Sequence, residues 1–319
     1  MSVDHDVLRS LREREDPRVG VRERFLTPEV DGGKTVAVLA EPSGEAGRTG
    51  WLICHSFGLE QDNLQSFEVQ LARRLAASGS PVLRYHSQGY GDSELPMEHI
   101  DVGSHVRSAV DAAALLREEA DVRGIGLIGA KFGGAVAALV AARTGAEALA
   151  LLEPVINGRS YMRSTIRSAL VAGLSGGGRS PVEGERVDPV EAMRRDGSAD
   201  VHGFPLRRDV YEEISELDVA RDMQSYGGRS LVIQVSRSAT QRPDIGHLMD
   251  RLGTAGGACR AETLVDPNAL RFGLPRFRVA GSSRKVDVAA DLHEAIIATT
   301  VNWCVDVARN DRHDMGAGR

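Results

Sequence analysis

The chain has 319 residues, 42% of them hydrophobic, which suffices for one large core or two smaller ones. A formal net charge of −6 with no long block of like charge gives no basic footprint for nucleic acid and no surface for a membrane, so the partner expected is a small-molecule substrate or a protein, a homodimer being allowed. Met1 to Phe25 is rich in Arg, Glu and Asp and lacks the apolar run of a signal peptide. No stretch elsewhere reaches about 18 apolar residues, which gives a cytoplasmic expectation.

Cys54, Cys259 and Cys304 are widely spaced in apolar surroundings and read as reduced, buried thiols. Only Lys34, Lys131 and Lys285 among the 39 basic residues are lysines; the rest are arginines.

In chain order, Lys34 to Pro42 and Gly50 to His55 read as short apolar strands bounded by Gly and Pro turns. Phe67 to Ser78 has apolar residues at helical spacing before Gly79, and Pro81 to Tyr85 follows as a strand. The rhythm repeats with a helix from His105 to Ala120, a buried strand from Gly124 to Gly129, a helix from Gly133 to Arg143 and a strand from Ala148 to Glu153. This alternation predicts an α/β fold with a doubly wound, mostly parallel sheet.

From about Pro154 to Gly228 the strand rhythm stops, and a Gly-rich break from Ser175 to Pro181 separates two helix-like stretches. We read residues 154–228 as an inserted helical cap between two halves of one core, 1–153 and 229–319. The rhythm resumes with a strand from Ser230 to Ser236, a helix from about Gly246 to Leu252, a strand from Arg260 to Val265 and a last helix from about Val286 to Val307.

The most informative segment is Leu127 to Gly134, where a buried strand runs straight into a glycine-flanked turn and then an Ala-rich helix. Gly129 and Gly133 bracket position 131 in the spacing of G-x-S-x-G, and glycines there let the backbone take a strained turn that projects the middle side chain over the sheet edge. That side chain is Lys131.

With this elbow, the loop His55-Ser56-Phe57-Gly58 after a strand and the segment Tyr85-His86-Ser87-Gln88-Gly89-Tyr90-Gly91-Asp92-Ser93 after the next, the sequence resembles the α/β-hydrolase family over most of its length. Leu152 to Gly158 and His202 to Leu206 are similar to a subgroup of exosortase-associated or serine-aminopeptidase-like hydrolases. The resemblance implies an α/β-hydrolase fold, an oxyanion loop using the N–H groups of Phe57 and Phe132, and substrate contacts at Ser56 and Glu60.

Three departures limit what it implies about activity. Lys131 stands where the nucleophilic serine belongs. No carboxylate follows Ser236 until Asp244, so Glu153 is the alternative acid. No histidine lies in Asp266 to Phe277, and His293 falls within a helix. A serine triad cannot be assembled from these parts.

A lysine attacking an ester would form an amide, which would stall turnover. Three roles remain for Lys131: general acid or base, Schiff-base former, or fixed cation. A helix N-terminus behind it disfavours the ammonium by roughly 0.3–1 kcal/mol, whereas Glu153 or Glu60 would favour it as an ion partner. His55 and His86 end strands flanking the elbow strand, and either is a candidate for proton transfer or for orienting a loop.

The catalytic candidates are therefore Lys131, His86, His55 and Glu153. The expected function is a non-canonical enzyme acting on an ester, thioester or other carbonyl compound by transfer, cyclisation or elimination. A catalytically inactive relative that binds a ligand or partner is the alternative, and a hydrolase using Ser56 is a third. Gly124 to Gly129 matches G-x-G-x-x-G, but its glycines lie within the strand rather than after it, and no cluster has metal-ligand spacing. Neither cofactor nor metal is expected.

Overall fold

A computed structural model describes residues 12–174, 188–254, 256–268, 272–273, 277–278, 285–286 and 289–316. Its centre is a nine-stranded sheet in the order β1-β2-β5-β7-β6-β8-β9-β12-β13. The strands are β1 (Glu13–Asp16), β2 (Val21–Leu26), β5 (Ala37–Pro42), β6 (Thr49–Cys54), β7 (Val82–Tyr85), β8 (Gly124–Ala130), β9 (Ala148–Leu152), β12 (Arg229–Ser236) and β13 (Cys259–Val265), with β3 (Glu29–Val30) and β4 (Gly33–Lys34) forming a separate two-stranded pair.

Every pairing from β7 through β13 is parallel, while β1, β2 and β5 are antiparallel. The α/β class expected from the alternation is what the chain adopts. Strands β6, β8 and β9 are buried along their whole length, which fits their unbroken apolar runs, since helices cover both faces of a parallel sheet.

The helices of the core are α1 (Leu59–Ala77), α2 (Val102–Ala120), α3 (Phe132–Val140), α8 (Pro243–Gly253) and α9 (Ala290–Gly316). A capping box fixes the start of α2: the Asp101 side chain accepts from the Ser104 N–H while the Ser104 hydroxyl answers the Asp101 N–H. Helix α1 starts at Leu59, eight residues before the expected Phe67, because Gly58 at φ 57° turns the chain and Glu60 and Asp62 occupy the first turn.

The charged N-terminal segment also departs from expectation. It supplies the edge hairpin β1–β2, in which Val21 and Glu23 face inward and Glu23 is neutralised by Arg73 at 2.7 Å. Alternation hides there because the inward polar residue is a paired glutamate. The expected strand over Lys34 to Pro42 is two pieces, broken at Thr35, whose hydroxyl donates to the His86 carbonyl.

Within residues 154–228 lie α4 (Gly158–Leu174), α5 (Pro189–Asp196), α6 (Arg208–Glu216), the short α7 (Val219–Asp222), and a hairpin of β10 (Ser198–Val201) and β11 (Phe204–Arg207). The hairpin turns at His202 (φ 60°) and Gly203 (φ 83°), both left-handed as a tight two-residue turn requires. Strand signals in this region are too short to read from sequence. Ser175 to Pro181 lies outside the described residues. No described helix is long and apolar enough to cross a membrane.

Candidate active site

Lys131 is the N-cap of α3, held at φ 52°, ψ −121° between β8 and the helix. The turn is this tight because its two glycines touch backbone. A Cβ on Gly129 would lie 2.1 Å from the Gly133 carbonyl oxygen, and one on Gly133 would lie 2.4 Å from that of Cys54. A lysine has no intrinsic preference for a left-handed φ, so the packing of β6, β8 and α3 imposes it at about 1–3 kcal/mol.

Oxygen and nitrogen groups converge around the elbow. Ser56, fully buried on the loop after β6, donates its hydroxyl to Glu60 Oε2 at 2.5 Å. The same oxygen accepts the Phe132 N–H at 3.1 Å and the Tyr161 hydroxyl of α4 at 3.4 Å. Gln61 holds the loop from the other side: its carbonyl accepts the Ser56 N–H at 2.6 Å, while its amide donates to Glu68 at 2.8 Å.

Burial raises the proton affinity of Glu60; the Ser56 hydroxyl, the Lys131 charge, the Phe132 N–H and Tyr161 pull it back down. Burial also pushes the Tyr161 hydroxyl well up, so it remains a donor.

The Phe132 N–H, expected to be open to a substrate oxygen, is thus already taken by Glu60. Phe57 is 5% exposed, and its ring packs between Phe132 and Phe204 of β11, with centroids 5.4 Å from each. Glu153 does not pair with Lys131. At φ 47° it turns its carboxylate to the Val235 N–H at 2.6 Å and to the Arg242 guanidinium. Arg242 was not legible as its partner, because it sits 89 residues away on the loop before α8.

His55 is buried, with Nδ1 against the Ser56 carbonyl at 2.8 Å, and His105 of α2 approaches the same oxygen at 3.1 Å. Burial holds both towards neutral, His55 the more strongly, and the charges of His105 and His86 lower His55 further. His55 is thus built into the support of the loop. His86, half-buried at the end of β7, has its ring 6.3 Å from His55 and accepts the Asp92 N–H at 3.4 Å; burial lowers its pKa too.

The loop after β13, which carries no histidine between Asp266 and Phe277, presents Phe272 instead. The Lys131 ammonium lies 5.3 Å from its ring centre, and among the described residues it makes no ion pair. Such a contact contributes about 0.5–2 kcal/mol. Phe272 is in turn packed on Phe67 and His293, which places His293 beneath the ring rather than at the elbow. Ala269 to Arg271 and Leu274 to Arg276 lie outside the described residues.

Nothing local in the sequence marks Tyr161, Phe272 or Gln61; each enters through packing. Among the described residues no cluster of His, Cys, Asp or Glu could hold a metal. Cys54, Cys259 and Cys304 are free thiols, two of them buried.

No family model and no curated protein matches the sequence. Solved structures do. Est1E from Butyrivibrio proteoclasticus, determined with ferulic acid, is 18% identical at a TM-score of 0.57, covering 87% of this chain and 98% of that one. Brefeldin A esterase, described as a bacterial homologue of human hormone-sensitive lipase, is 16% identical at 0.55, covering 96% and 83%. An esterase from Pyrococcus furiosus is 12% identical at 0.57, covering 90% and 92%. With a mostly parallel sheet, a strand–elbow–helix turn at Lys131 and coverage this broad, the chain has the α/β-hydrolase fold.

Proposed function

We propose that the protein is a non-hydrolytic enzyme on an α/β-hydrolase scaffold, acting on an ester, thioester or other carbonyl substrate by transfer, cyclisation or elimination, with Lys131 as its reactive group. The observation that carries this is the elbow itself. A flexible cation is kept in a strained backbone conformation at the sheet edge, with the Phe272 ring 5.3 Å from its amine. A surface lysine needs none of this, and backbone strain of this kind concentrates at functional sites.

Acyl transfer to the amine would end in a stable amide, so Lys131 acts by moving a proton, by forming a Schiff base or as a fixed cation. We place the protein in the cytoplasm with a small-molecule substrate, in a biosynthetic step. The names of its structural neighbours make carboxylic esters, with feruloyl and chromogenic aryl esters among them, the first compounds to test.

One observation favours a second reading, a binding protein without catalysis: the Phe132 N–H is already satisfied by Glu60, so an incoming oxyanion finds it occupied. The two are separated by assaying wild type, Lys131→Ala and Lys131→Arg against aryl esters, thioesters and small ketones. The enzyme reading expects Lys131→Ala to lose at least about 100-fold, with partial rescue by arginine only if the role is that of a fixed cation. Full activity in Lys131→Ala, or labelling of a serine by a fluorophosphonate, would overturn it. Binding that raises the melting temperature without turnover would establish the second reading.

A further inference from the structure

The anion that fills the elbow belongs to the protein. Three donors from three separate elements, the Ser56 hydroxyl, the Phe132 N–H and the Tyr161 hydroxyl, end on the single atom Glu60 Oε2. Among the described residues, Oε1 accepts no hydrogen bond. A carboxylate can accept at both oxygens; gathering three donors on one of them is how a site holds an oxyanion. The Phe132 N–H that Glu60 Oε2 accepts at 3.1 Å belongs to the residue after Lys131, so the carboxylate lies against the elbow backbone, where the Lys131 charge acts on it without a direct ion pair.

We propose that Glu60 is the second functional group of the site: the hole that would hold a substrate oxygen is assigned to Glu60, which is thereby fixed as the charge and proton partner of Lys131. This rests on the functional reading above and narrows it to proton-transfer chemistry. In the implied step, Oε1 accepts a proton from the substrate while the Lys131 ammonium gives one to the substrate's carbonyl oxygen. The carboxylate and the ammonium are both neutral afterwards and the substrate is its enol. Oε1 then returns its proton to a different carbon of the enol while the enol hydroxyl gives its own back to the Lys131 amine, which restores both groups and leaves the substrate isomerised.

The surrounding groups leave this pairing intact. Glu153 is neutralised by Arg242, and Asp62 of α1 is exposed. Burial keeps His86 towards neutral and Tyr161 protonated. Phe272 and Gly273 bring a ring and no charge. Glu68, farther along α1, feels the charge of Glu60 as a like charge.

The scarcity of lysine supplies the probe. With three lysines in the chain, reductive methylation with 13C-formaldehyde gives few signals, and Lys131→Arg assigns the one from Lys131. In wild type this signal is expected to show an inflection above the ordinary carboxylate range as Glu60 takes up its proton. The inflection should vanish in Glu60→Gln and move to higher pH in Tyr161→Phe, which removes one donor and leaves the carboxylate. A neutral acylating reagent at pH 7 should modify Lys131 at least about threefold faster in Glu60→Gln than in wild type.

An inflection that is absent from wild type, or that persists unchanged in Glu60→Gln, overturns the assignment. Should that variant not fold, an inflection unmoved in Tyr161→Phe does the same. Turnover that depends on Lys131 but survives Glu60→Gln would sink the pairing alone, whereas turnover surviving Lys131→Ala would sink the functional reading.

Discussion

Glu68 offers a quantitative test of how the loop beneath the site is held. It is 5% exposed on α1, accepts one hydrogen bond from Gln61, and leaves Oε1 without a partner. Burial, only partly offset by the Gln61 amide and the charge of Arg84, raises its pKa to about 7 from an ordinary value of 4.5. The folded protein therefore holds a proton that the unfolded chain has lost between about pH 4.5 and 7. Because the folded value is the higher one, the stability Glu68 contributes is complete below the unfolded pKa and is lost as pH rises through the folded one.

At about 1.4 kcal/mol per pH unit, that loss is about 3 kcal/mol. Glu68→Gln carries no such proton, and its amide can still accept from Gln61. Urea unfolding of both proteins at pH 5 and pH 8 isolates the effect, since contributions from other groups cancel in the difference. The variant should gain about 2–3 kcal/mol on wild type between the two conditions, since part of the effect is already lost at pH 5. Parallel pH dependences would refute the claim that Glu68 is buried with too few partners.

Two further substitutions test the elbow. Lys131→Gly should be more stable than Lys131→Ala by about 1–3 kcal/mol, because only glycine relieves a φ of 52°; equal urea midpoints would mean the turn is unstrained. Gly133→Ala should cost at least about 1–3 kcal/mol, since its Cβ would meet the Cys54 carbonyl oxygen at 2.4 Å and that atom belongs to a central strand. A melting temperature equal to wild type would show that the helix and sheet can part there.

The sequence by itself determined the order of the core. Buried runs such as Gly124 to Ala130 alternate with amphipathic stretches such as Val102 to Ala120, and this is a local property of side-chain periodicity. It also determined that position 131 is an elbow, because a strand cannot turn into a helix so abruptly without small residues on both sides. Where local chemistry was ambiguous, sequence reading fell short. The hairpin of β1 and β2 was concealed by a buried Glu23 whose partner Arg73 lies 50 residues on, and the strands of the cap are four residues each.

What only the tertiary structure decided is which charges meet. Both Glu153 and Glu60 were candidates for pairing with Lys131, Glu153 being the one counted as catalytic, and nothing near either residue decides between them. Folding brings Arg242 to Glu153, and it brings Ser56, Phe132 and Tyr161 to Glu60. A charge is most strongly affected by the groups within a few ångströms of it, and those come from segments up to 101 residues apart. The elbow is written in the chain, while the electrostatics around its lysine exist only once the sheet and the helix that carries Tyr161 have assembled.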